Sequence, residues 1–193
     1  MKYAALLILA APAFAQISSQ PSPAAASMPP SGAARPIVTQ AKAGKIPLGT
    51  LVSLERAFDG KLAGIADSNN TPIDLFGATR GIYLDGYGIV FTTEMGLVVT
   101  PTINPFNSTI TDAQKTRIHT TKLARLPLLK KVMTEMMRNV ATTLVQVPDN
   151  QQVVVAVRLD YLNWEITSGL PGLVVAKADR RSALAGNIQV EEQ

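Results

Sequence analysis

The chain has 193 residues, 47% of them hydrophobic and 17% charged, which suffices for one domain with a real core plus extensions. It contains no cysteine, so disulfides, thiol nucleophiles and thiolate metal sites are excluded. Its formal net charge of +4 is too small to mark a nucleic-acid binder.

Residues 1–15, MKYAALLILAAPAFA, have the layout of a secretory signal peptide. Lys2 precedes an apolar stretch, and Ala13-Phe14-Ala15 supplies the small residues that signal peptidase requires. Ala13 and Ala15 therefore place the cut before Gln16. The apolar stretch is shorter than the ~20 residues needed to cross a bilayer, so no transmembrane span is expected after cleavage. Cleavage removes one of the 18 basic residues, Lys2, and none of the 14 acidic ones, leaving a net charge of +3. Residues 16–45 are rich in Pro, Ala and Ser and hold no acidic residue. Such a segment cannot bury enough surface to offset its ordering entropy, and it reads as a disordered linker.

The globular domain is expected over residues 46–193. Leu48, Leu51, Val52, Leu54, Ala57, Phe58, Leu62 and Ile65 recur at helical spacing and predict a helix over 48–64. The cluster DSNNTP (67–72) is a turn. Residues 73–79 are a candidate strand. Residues 82–84 and 87–95 form a predicted hairpin with a two-residue turn at Asp85-Gly86. Residues 98–106, with Pro101 and Pro105, read as a loop or edge segment. Thr111 and Gln114 have the spacing of a capping box. Pro127 splits the stretch that follows into helices over 112–124 and 127–146. Leu129, Met133, Met136, Met137, Val140 and Leu144 form the buried stripe of the second. PDNQ (148–151) is a turn, and residues 153–162 alternate as an interior strand. SGLPG (168–172) turns the chain into a strand over 173–176. Asp179 caps a short helix that Gly186 ends, and residues 188–191 are a final strand. Strands and helices do not alternate strictly, so the expected fold is α+β: a mostly antiparallel sheet with two or three helices on one face.

The run GIYLDGYGIVFTTE (81–94) carries three glycines. A dinucleotide fingerprint would need a third fingerprint glycine where Phe91 stands and a helix after it, and both are missing. No cofactor motif occurs elsewhere. His119, the only histidine, lacks the surroundings of a triad or a zinc site. Tyr83, Asp85, Tyr87 and Glu94 are candidate ligand-binding residues if the hairpin lines a pocket, although core packing and a plain turn are the simpler readings. Asp85, Glu94, Asp160 and Glu165 are the carboxylates a hydrolase would have to use. Between 111 and 140, Lys115, Arg117, Lys122, Arg125, Lys130, Lys131 and Arg138 are opposed only by Asp112 and Glu135. Lys122, Arg125, Lys130, Lys131 and Arg138 are therefore a candidate surface for an anionic partner, against the alternative of a solvated helix back. Asn107-Ser108-Thr109 has the form of a glycosylation sequon.

Tyr83, Leu84, Gly86, Tyr87, Gly88, Val90 and Phe91, followed by VVVAVRL at 153–159, resemble the Y-L-x-G-Y-G-x-V-F strand and valine-rich strand of a group of exported bacterial proteins. The resemblance implies no activity and no catalytic residue. The sequence thus leads to three readings. The first is an exported, periplasmic or extracellular, non-enzymatic module that binds an envelope protein or an anionic surface. The second is a small-molecule binding domain with its pocket near the 83–94 hairpin. The third is a carboxylate-dependent exported hydrolase.

Overall fold

Alternation of buried and exposed residues sets the frame of the fold. In the computed structural model, which describes residues 45–65, 72–103 and 109–193, the order is α1 (Leu48–Ala63), β1 (Asp74–Leu75), β2 (Arg80–Leu84), β3 (Gly88–Gly96), α2 (Asp112–Thr143), β4 (Gln152–Leu159), β5 (Leu173–Asp179), α3 (Arg180–Ala185) and β6 (Gln189–Glu192). The predicted leader, most of the predicted linker and of the predicted 67–72 turn, and Asn107-Ser108 of the predicted sequon lie outside the described residues.

The architecture is α+β with a six-stranded mixed sheet. The strands run β1-β3-β4-β5-β6, and β2 pairs beside β1 on the same edge of β3. Only β3–β4 is parallel; the other pairings are antiparallel. Parallel pairing needs a crossover, and α2 supplies it. The inner sheet face (Ile89, Phe91, Met95, Val153, Val155, Val157, Val174, Ala176) shares one core with Leu51, Leu54, Phe58 and Leu62 of α1 and with Leu129, Met133, Met136, Met137 and Val140 of α2. The last helix, α3, packs against α2, where Arg180 Nε donates to the Ala141 carbonyl at 2.9 Å. All three helices thus lie on the same side of the sheet.

Pro127 does not end a helix. A single helix of 32 residues runs through it. Its amide is missing and the Leu123 carbonyl loses a partner, but Leu123, Ala124 and Pro127 are exposed, so water can solvate that carbonyl. The stripe from Leu126 to Val140 is buried on the other side and keeps both halves on one axis. The helix starts as expected: Thr111 Oγ1 accepts from the Gln114 amide at 3.2 Å, and Gln114 Oε1 accepts from the Thr111 amide at 2.9 Å.

The hairpin has three loop residues rather than two, because its first ladder pair is Leu84–Gly88. Tyr87 N–H donates to the Leu84 carbonyl at 3.1 Å, and Gly86 takes the positive φ of +76°. Gly88 has a different reason to be glycine. Its φ is +135°, and a Cβ there would lie 2.0 Å from the Gln152 carbonyl oxygen. The start of β4 approaches that closely, with the Gln152 amide donating to the Tyr87 carbonyl at 2.8 Å. Of the candidate strand over 73–79, only Asp74–Leu75 pairs. The strand before α3 extends to Asp179, beyond the predicted 176. The valine strand stops at Leu159, although the Asp160 amide still reaches the Met95 carbonyl at 3.0 Å.

Candidate functional site

The carboxyl ends of the parallel pair β3–β4 are where an open sheet of this kind offers a crevice. A cavity of about 130 Å³ lies there, lined by Asp74, Thr100, Thr102, Lys122, Asp160 and Glu165 among others. Lys122 and Glu165 form an ion pair in which the side chains are 1% and 2% exposed. The Lys122 ammonium also sits 4.9 Å from the Tyr161 ring centroid, within cation–π range. Burial, helped by the Glu165 charge, pushes the Tyr161 phenol up to about 12. Its hydroxyl donates to the Pro171 carbonyl at 2.7 Å. One turn on, Arg125 is fully buried and donates through Nη1 to the carbonyls of Leu97 at 2.7 Å and Pro72 at 3.3 Å. The two cations bind α2 to the segments around Pro72, after β3 and after β4. The cavity is smaller than the several hundred Å³ a ligand pocket takes, and its ammonium and buried carboxylate are committed to each other. The cluster fastens loops.

These two residues correct the basic-surface expectation. Lys122 and Arg125 are interior, and only Lys130, Lys131 and Arg138 remain toward solvent. Of those, Lys130 pairs with Glu192. The signal was present in the spacing: Lys122 stands seven residues and Arg125 four residues before Leu129, on the helix stripe that continues through Met133 and Met136.

The hairpin residues do not converge. Tyr83 pairs with Ile89 and so faces the core side, where its hydroxyl donates to Gln151 Oε1 at 2.9 Å. Glu94 projects from the opposite face, paired with Arg158 at 3.4 Å. Asp85 and Tyr87 are exposed on the loop. Of the four hydrolase carboxylates, Asp160 and Glu165 line the same cavity, while Asp85 and Glu94 are elsewhere. His119 Nδ1 lies 2.9 Å from the Ile166 carbonyl. Asp179 accepts from the Ser182 amide and hydroxyl, both at 2.8 Å, and these bonds hold its carboxyl below the ordinary range. Beside it lies a polar cleft of about 600 Å³, lined by Gln152, Lys177, Asp179, Ser182, Asn187 and Gln189.

A separate feature is the outer face of the sheet. Register defines its rows: Ile82–Val90–Val154–Lys177–Gln189 and Arg80–Thr92–Ala156–Val175–Glu191. The next row is Glu94–Arg158–Leu173. Ile82 is 56% exposed and Leu84 47%, with Val90, Ala156, Leu173 and Val175 partly exposed beside them. Among the described residues, no helix packs on this face. Apolar residues run across the face from β2 to β5, with Arg80, Glu94, Arg158, Lys177 and Glu191 among and around them, a mixture of apolar and charged groups common at interfaces. Sequence periodicity could not find it, because the β4 alternation predicts a second face without saying what covers it.

Among the described residues, no helix is long and apolar enough to cross a membrane, and no group of three or more His, Asp or Glu residues is placed to hold a metal ion. No family model matches the chain, and no curated protein or solved structure matches it.

Proposed function

We propose that this chain is an exported, non-enzymatic interaction module that meets its partner through the outer face of its sheet. The observation that carries the reading is the apolar run across that face, Ile82, Leu84, Val90, Ala156 and Val175, on the side without described helices. Exposed contiguous apolar patches of this kind mark interaction sites in soluble proteins. The commitment of Lys122, Glu165, Glu94 and Asp179 to ion pairs and a helix cap supports a binding rather than a catalytic role. The leader-like residues 1–15, the linker composition and the resemblance to exported proteins support export to the periplasm or beyond.

The test is site-specific photocrosslinking in producing cells. A photoreactive residue at Thr92, in the middle of the face, is expected to give an adduct with a defined partner. The same residue at Thr142, exposed on α2, is expected to give none. Equal labelling from both positions, or none from Thr92, would refute the interface. Mass spectrometry of the exported fraction should find a chain beginning at Gln16.

A further inference from the structure

We infer that the occupant of the outer sheet face is a second copy of this chain, packed sheet to sheet about a two-fold axis that runs along β4; the inference rests on the reading of that face as an interface. Three observations lead to it.

The first is that the sheet edges are guarded, which leaves the face. On the β2 edge, the Gly81 amide donates to Glu55 Oε1 at 2.7 Å and the Thr79 amide to Asp59 Oδ1 at 3.0 Å. Two carboxylates of α1 thus occupy donors that an added strand would need. The opposite edge, β6, presents Glu191 and Glu192. Bound edge amides and charged edge residues both oppose strand addition.

The second is charge complementarity. Arg80, Arg158 and Lys177 meet Glu94 and Glu191 on the face, three cations against two anions, so both signs are present in nearly equal number. A face of mixed sign does not select a polyanion. It suits an isologous contact, where the same patch meets itself. The row Arg80–Thr92–Ala156–Val175–Glu191 has β4 at its middle strand. A two-fold axis along β4 keeps each row in place and exchanges its ends. Arg80 of one copy then lies opposite Glu191 of the other, twice per dimer. Arg80 makes no ion pair among the described residues. Glu191 receives Lys177 at 2.6 Å and would bridge both cations. Thr92 lies opposite Val175, and Ala156 meets its own equivalent, where a small side chain permits close approach. Arg158 also lies near the axis, and each copy keeps Glu94 beside it at 3.4 Å.

The third is area. The rows hold five, five and three positions, each about 4.8 by 6.8 Å, or about 420 Å² per copy. The pair buries about 850 Å², the size of a weak, transient contact rather than of a standard interface. The expected dimer is weak and concentration-dependent.

Sedimentation equilibrium across a wide concentration range tests the inference. The weight-average mass is expected to rise from that of one copy toward twice that value. Arg80→Glu is expected to weaken dimerisation at least tenfold, and adding Glu191→Arg to restore it. Thermal melts at concentrations where the wild type is monomeric should stay unchanged, since both positions are exposed. A monomer at every concentration overturns the inference, as does an Arg80→Glu dimer as tight as the wild type. The Thr92 crosslink separates the two claims. An adduct with another protein, with an anionic polymer, or with residues 1–44 of the same chain overturns the two-fold dimer and leaves the face an interface. The absence of any Thr92 adduct removes both.

Discussion

Replacing Lys122 by methionine keeps the length of the side chain and removes its charge. It leaves Glu165, whose side chain is 2% exposed, as a buried carboxylate without its ammonium. Breaking such a pair from one side costs about 3–5 kcal/mol, because the remaining charge keeps its desolvation penalty and loses its compensation. That is about a fifth or more of the stability of an ordinary domain. Removing both charges, with Lys122→Met and Glu165→Leu together, should return stability to within about 1 kcal/mol of the wild type, since neither penalty then remains. Glu165→Leu alone should resemble Lys122→Met, with the ammonium left over the Tyr161 ring as partial compensation. The four proteins form a double-mutant cycle. Urea unfolding at one protein concentration, followed by fluorescence of the single tryptophan, Trp164, reads it directly. A Lys122→Met variant that loses less than about 1 kcal/mol, or a double variant as damaged as the sum of the singles, would refute the buried-pair account.

Three further outcomes follow from local geometry. Gly88→Ala should cost at least about 3 kcal/mol in thermal or urea unfolding, because its Cβ would meet β4 backbone. Gly86→Asn, at an ordinary left-handed turn position, should stay within about 1 kcal/mol; equal effects would show that the close approach is misassigned. Pro127→Ala should stabilise the protein by up to about 3 kcal/mol by restoring one helical hydrogen bond at an exposed position, and a loss of stability would contradict a continuous α2. The Tyr161 phenol is raised in the folded state to about 12 from 10.0. Its contribution is therefore complete below pH 10, is lost as pH rises toward 12, and should vanish from the alkaline unfolding profile of Tyr161→Phe.

The sequence made some parts of this fold plain and hid others for physical reasons. The valine strand was legible because its two faces differ: Val153, Val155 and Val157 are buried while Arg158 is not. The caps at Thr111 and Asp179 were legible because capping is local chemistry, settled within three residues. Pro127 misled because local propensity was overridden by a buried stripe on the far side of the helix. Lys122 and Arg125 misled because charge usually marks the solvent face, and their partners lie far along the chain, 43 residues away for Lys122–Glu165 and 28 for Arg125–Leu97. The glycine run that suggested a ligand loop resolves into two separate demands. Gly86 serves the turn, and Gly88 serves the contact between β3 and β4. The outer face was the least legible, because exposure on a sheet depends on which side every helix chooses.

The most direct test of the interface uses the absence of cysteine. In a variant carrying both Arg80→Cys and Glu191→Cys, the two thiols of one chain stand on opposite sheet edges, about 19 Å apart at four strand spacings. A short bismaleimide cannot join them within a copy. Across the two-fold axis along β4 they face each other. A covalent dimer from the double-cysteine variant, with little from either single variant, is the predicted result. Monomer alone at concentrations where the same double variant, left uncrosslinked, sediments as a dimer would contradict it.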